Sequence, residues 1–163
     1  MTQARRQLIV GGLLAAGGLG ISTRAVCSTH TIVEQFAATL SAHDINSFAA
    51  LFSDHYVNHQ MSAAVPPPPE GVTPKQASVA FFNARLIGMP DLKVAIETFV
   101  AAEDKVAASF VYTGTHQGLY FGIAPTGKAL RFTSCDIFRI QAGQIAEHWG
   151  MGDIAGVLAQ LKS

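Results

Sequence analysis

After Pro90 the apolar residues of this chain stop recurring at helical spacing and fall at every second position, almost to the C-terminus. A period of two is the signature of strands, whose successive side chains point to opposite faces. LKVAIETFVAAEDKVAASFVYTGTH, residues 92–116, reads as two long strands joined at Glu103-Asp104. YFGIAPTGKAL is a connection with its turn at Pro125 and Gly127. A third strand covers 128–140, a turn falls at Ala142-Gly143, and a fourth strand runs from Gln144 to about Trp149.

The preceding half follows helical spacing. Ile32, Val33, Phe36 and Leu40 share one face, as do Phe48, Leu51 and Phe52, which predicts two helices over 31–52 with Asp44 capping the second. DHYVNHQ, residues 54–60, changes to a short strand or turn, and PPPPE at 66–70 is a surface loop. Thr73-Pro74 starts a third helix that reaches about Gly88 and buries Val79, Phe82, Leu86 or a face close to it. Asp153 caps a short last helix through Leu161. Helices first and an antiparallel meander afterwards is the pattern of an α+β domain. The chain of 163 residues has room for one such domain.

Residues 1–27 are expected to be an export signal rather than part of the fold. Arg5-Arg6 precedes LIVGGLLAAGGLGI, an apolar run of 14 residues, and Ser, Thr, Ala and Cys follow. The paired arginines resemble a twin-arginine signal, so the expected location is periplasmic or secreted, with membrane contact only during export. The apolar run is short of the roughly 20 residues a spanning helix needs. Residues 28–163 then form the mature domain, with Cys27 as a weaker lipidation candidate. Only 13% of residues are charged, with 11 bases against 11 acids, which gives no surface for nucleic acid.

The few charges make the placement of one acid informative. In the third strand Leu130, Phe132, Ser134, Asp136, Phe138 and Ile140 share a face, and that face belongs to the core. Asp136 therefore points among apolar groups, where it must be hydrogen-bonded, paired or protonated. Desolvation in general raises a carboxyl pKa, which suits a group exchanging a proton near neutrality, but a structural Asp fits the pattern equally. On the second strand Phe110, Tyr112 and His116 share an apolar face. On the fourth, Ala146 and His148 lie on one side and Ile145, Glu147 and Trp149 on the other, so only one of Glu147 and His148 faces inward. His55 and His59 are four apart, but in an extended segment they do not converge on one ion, and no further ligands complete a metal site. Gly-x-Ser-x-Gly, phosphate-loop and dinucleotide motifs do not occur.

HYVNH at 55–59, TGTHQGLYFGIAPTGK at 113–128 and DIFRIQAGQIAEHW at 136–149 together resemble the SnoaL-like polyketide cyclases, ester cyclases of the nuclear transport factor 2-like superfamily. The resemblance covers roughly 30–161. It implies a cone-shaped α+β barrel, a strongly curved antiparallel sheet around a pocket closed by about three helices. It also implies ring closure by intramolecular aldol chemistry with no metal or cofactor, with Asp136 as acid/base. His116 and His59 would assist catalysis, while Asn58, Tyr112, Phe110, Phe132, Phe138, His148 and Trp149 would line a site for a small apolar carbonyl compound. Many members carry an acid directly after the Trp of the last motif, where this chain has Gly150. Two other readings remain: a periplasmic binding protein for an apolar ligand, and epoxide hydrolysis by a water held between Asp136 and Asn58 or His116. A homodimer is expected through the outer sheet face, with Val111, Cys135 and Ile137 as candidates.

Overall fold

A computed structural model describes residues 23–60 and 68–163 of the chain. The expected leader lies outside the described residues apart from its last few, which belong to the first helix; part of the proline loop is likewise outside. The elements are α1 (Thr23–Ser41), α2 (Ile45–Ala50), β1 (Phe52–Asn58), α3 (Pro74–Gly88), β2 (Lys93–Ala102), β3 (Lys105–Thr115), β4 (Ala129–Gln141), β5 (Gln144–Gly152) and α4 (Ile154–Lys162).

Local chemistry sets the helix boundaries. Asp44 caps α2 by accepting from the Ser47 N–H. Thr73 and Gln76 form a reciprocal capping box at α3, with Pro74 next to the cap where its missing N–H is harmless. Asp153 caps α4 through the Gly156 N–H. The buried face of α3 is Ser78, Phe82, Arg85 and Leu86, rotated slightly from the expected one, and Val79 is only half-buried.

The five strands form a curved, unclosed sheet in the order β1-β5-β4-β3-β2. The run from β2 to β5 is the expected antiparallel meander, with turns at 103–104 and 142–143. Ala142 and Gly143 both have positive φ, at 51° and 79°, as a tight two-residue hairpin turn requires. The fully antiparallel expectation needs correction at one edge, where β1 pairs with β5 in parallel. That pairing follows from chain path, since α3 and the rest of the sheet separate the two strands in sequence.

Strict alternation also fails in β5. Arg139 pairs with Glu147 but Ile140 pairs with Ile145, so Ala146 is an extra residue and the strand bulges. Ile145, Ala146 and His148 are all buried as a result, and Ile145 does not lie with Glu147 and Trp149.

The core lies between the helices and the inner sheet face. Phe36 of α1 is its hub, with ring centroids 5.0–5.4 Å from those of Phe48, Phe82, Phe110 and Phe138. It thus joins α1, α2, α3, β3 and β4, which fixes the helices over the strands that carry the polar groups below. We expect Phe36→Ala to cost about 3–5 kcal/mol in denaturant unfolding. A loss under about 1 kcal/mol would show that the helices are held by something else.

Candidate functional site

The alternation of β4 places Ser134, Asp136 and Phe138 on the inner face, and Asp136 is only 4% exposed. Its carboxylate is satisfied by two donors. Oδ2 accepts from Ser134 Oγ at 2.5 Å, and Oδ1 accepts from His148 Nε2 at 2.7 Å. Burying the anion would otherwise be prohibitive, and charge-assisted bonds of this kind are the strong ones. His148 pairs with Phe138 across the ladder, one inward position from Asp136, and the β5 bulge is what turns it inward.

Beyond His148 a chain of hydrogen bonds leads toward solvent. A carboxylate only accepts, so Nε2 carries a proton, and in the neutral imidazole Nδ1 accepts. The Tyr56 hydroxyl donates to Nδ1 at 3.1 Å, Ser78 Oγ donates to the Tyr56 oxygen at 3.2 Å, and Asn58 Nδ2 donates to Ser78 at 3.3 Å. The Gln60 N–H donates to Asn58 Oδ1 at 2.9 Å, which fixes the orientation of that amide. Burial pushes the Tyr56 phenol up to about 12, opposed by its bond to Ser78 and reinforced by Asp136, so it stays a proton donor. Every donor in the series points toward Asp136. The parallel pairing of β1 with β5 makes this possible by setting Tyr56 and Asn58 beside His148.

A narrow pocket opens on the other side of the carboxylate. Phe82, Arg85, Tyr112, Ser134 and Asp136 form its deep end, and half-buried Gln60, Phe81, Gly152 and Ile154 form its mouth. The enclosed space is about 10 Å³, comparable to the ~10–15 Å³ one water requires. Tyr112 stacks on Phe132 with ring planes 2° apart and centroids at 5.0 Å. Its hydroxyl lies 3.4 Å from Ser134 Oγ, and burial drives its pKa upward, so it too remains a phenol. Arg85 reaches the pocket from α3 with its guanidinium over the rings of Tyr112, Phe82, Phe132 and Phe81. Its Nε donates to the Tyr120 hydroxyl at 3.3 Å. Burial works against this cation, but Tyr120, Tyr112 and Asp136 together raise its pKa, so it stays charged.

The residues expected from sequence divide into five places. Asp136 and Tyr112 line the pocket; His148 and Asn58 belong to the hydrogen-bond chain behind it; Phe110, Phe132 and Phe138 are buried in the adjoining core. His59 and Trp149 lie together on the opposite side of β5. Their rings stack 4.4 Å apart, and His59 Nε2 donates to Glu147, which also pairs with Arg139. These bonds hold the Glu147 carboxyl below its usual range. His116 is fully buried, but in the loop after β3. The Thr126 N–H donates to its Nδ1 at 3.2 Å and Thr126 Oγ1 lies 2.9 Å away. Its Nε2 has no partner among the described residues. Among those residues no three His, Cys, Asp or Glu side chains gather as a metal-ligating group.

Sequence reasoning did not select Arg85, Tyr56, Ser78 or Tyr120. One signal was available for Arg85, a cation on the same helical stripe as Phe82 and Leu86. The motif around 113–128 bears on it indirectly. Gly118 packs so closely on the Ile87 carbonyl that no side chain fits there, and this approach carries Tyr120 to Arg85.

Gly150 is the cross-strand partner of Asp136. A Cβ there would lie 2.5 Å from both Asp136 Oδ1 and His148 Nε2. The residue after Trp149 is thus bare because the Asp136–His148 contact occupies its side-chain space. Gly150→Ala should force the pair apart, lower stability by about 1–3 kcal/mol and erase the Nε2–H signature of His148 in ¹⁵N NMR. An unchanged imidazole signal would refute this reading of the glycine.

Comparison with known proteins agrees with the geometry. Among solved structures, IdmH of Streptomyces antibioticus, a candidate polyketide cyclase, superposes with a TM-score of 0.70 at 24% identity, over 83% of this chain and 99% of that one. AclR of Streptomyces galilaeus, a candidate hydroxylase, also gives 0.70, at 23% identity over 83% and 82% of the two chains. A candidate SnoaL-like cyclase from Jannaschia sp. CCS1 gives 0.69 at 18% identity, over 84% and 93%. These likenesses establish the nuclear transport factor 2-like fold. No protein of curated function matches the chain. The family model of SnoaL-like polyketide cyclases matches residues 30–161, and the chain belongs to that family.

Proposed function

We infer that the protein is an enzyme that removes and returns a proton beside the carbonyl of a small, largely apolar compound, with Asp136 as the acid/base. The observation that carries this reading is the placement of that carboxylate. It is buried, it is the acid that lines the pocket, and its anionic form is held by Ser134 and His148. A base fixed in this way presents a remaining oxygen lone pair to the pocket without reorganising. The proton passes from the α-carbon to Asp136, and the bonding pair moves onto the carbonyl oxygen. In a ring closure the enolate carbon then attacks a second carbonyl, and the proton on Asp136 goes to the new alkoxide.

Membership of a cyclase family supports the aldol form of this chemistry, and the aromatic lining suits an apolar substrate. The resting pocket takes at most about one water, so substrate entry is coupled to opening of the cleft at Gln60, Phe81 and Ile154. Epoxide hydrolysis draws less support. Neither Asn58 nor His116 is in the pocket lining with Asp136, so neither is placed to hold a water against it there.

Wash-in of deuterium at the α-carbon of small ketones and keto esters, followed by NMR, tests the reading without the native substrate. The wild-type protein should accelerate exchange for at least some of them. Asp136→Asn should cut that rate by about 10²–10⁴-fold while keeping the fold. Equal exchange by the two proteins, or none above buffer, would contradict it. Tyr56→Phe should leave Asp136 in place and lower the rate by about tenfold or less, since it removes a donor two bonds from the carboxylate.

A further inference from the structure

Arg85 is a buried cation that no acid of the chain meets in a direct ion pair, although Asp136 acts on it across the pocket. Arg85 is 4% exposed. All 11 acids of the sequence lie among the described residues, and none forms an ion pair with it. Its surroundings are four aromatic rings, 4.5–5.2 Å from Cζ, and the Tyr120 hydroxyl. Ring faces offset part of the desolvation of a guanidinium, but they leave its outer N–H donors without an anion. Arg85 and Asp136 line the same small pocket. A positive group and a negative group therefore face one cavity without a direct ion pair, and both are available to whatever enters it.

We propose that Arg85 is the group that receives the enolate oxygen, and that the substrate is an uncharged carbonyl compound bound with its carbonyl oxygen at Arg85 and its α-carbon at Asp136. This rests on the reading of Asp136 as the base. When the C–H bond breaks, the proton forms an O–H bond on Asp136 and the electron pair moves through the new C=C bond onto the oxygen. Negative charge leaves the Asp136 side and appears beside the guanidinium, while the net charge of the pocket is unchanged. A direct Arg85–Asp136 ion pair would stabilise the ground state and make Asp136 a poorer base. Separation of the two means that the attraction is realised only as charge is transferred, which lowers the barrier rather than the starting level. The aromatic cage and Tyr120 are positioning groups that keep the fork aimed into the cavity.

The probe is 4-nitrophenol, whose phenolate imitates a planar enolate and absorbs visibly, against 4-nitroanisole, its uncharged ether. The wild-type protein should bind the phenolate at least about tenfold more tightly than the ether, and Arg85→Gln should abolish the preference. Arg85→Lys should keep part of it, and Asp136→Asn should strengthen phenolate binding by removing the competing charge. Equal binding of phenolate and ether by wild-type protein would overturn the proposal, and that arm needs no variant to fold. So would a folded Arg85→Gln protein that retains the preference. Two outcomes separate this inference from the reading beneath it. If Asp136→Asn loses deuterium exchange but wild-type protein shows no phenolate preference, Arg85 has no such role and the base stands. If the preference is present but Asp136→Asn exchanges normally, the base assignment fails and the proposal falls with it.

Discussion

The contact between Asp136 and His148 is the constraint to which the rest of this site conforms. A carboxylate on the inner face of a sheet, only 4% exposed, must be satisfied largely by its neighbours. Ser134, two residues earlier on the same face, supplies one donor. The second must come from the next strand, and a regular β5 does not secure it, since the burial of Ile145 would then compete with that of His148. The bulge at Ala146 resolves the conflict by letting both residues face inward, and Gly150 leaves the space in which the imidazole meets the carboxylate. Bulge, glycine and acid thus form one device spread over two strands.

Around that device the polar groups divide by side. On one flank Tyr56, Ser78 and Asn58 continue the hydrogen-bond chain outward, each satisfied by the next. On the other flank Arg85 stands in its aromatic cage, in the same pocket as Asp136 but with no direct ion pair. The first arrangement fixes the resting state of Asp136, and the second offers a place for charge to go. Phe36 joins the two indirectly, because its rings of contact span α2, α3 and the inner sheet, so the base on β4 and the cation on α3 are held by one core.

Much of the scaffold was legible because it follows short-range rules. Period two located the strands, the turns fell at Glu103-Asp104 and Ala142-Gly143, and Asp44, Thr73 and Asp153 all cap helices. The inward direction of Asp136 was legible for the same reason. What periodicity left open was the choice between Glu147 and His148, because a bulge is an exception to the period and depends on pairing with β4. The parallel seam between β1 and β5 was hidden too, since strand order is a property of chain path. His59 belongs to a motif that carries the family resemblance, yet it stacks on Trp149 on the far side of β5 from the carboxylate. Arg85 was overlooked because a charge on a helix is ordinarily a solvated one, and only three-dimensional packing reveals that it is buried among aromatic rings without a direct ion pair.

The central claim is that Asp136 accepts a proton when an oxygen anion forms in the pocket. Difference infrared spectroscopy on addition of 4-nitrophenol, with ¹³C-labelled aspartate, reads that event directly. The account predicts that the carbonyl stretch of a protonated carboxyl appears together with phenolate absorbance, and that Asp136→Asn removes the carboxyl band. Phenolate bound with every aspartate still ionised would contradict it.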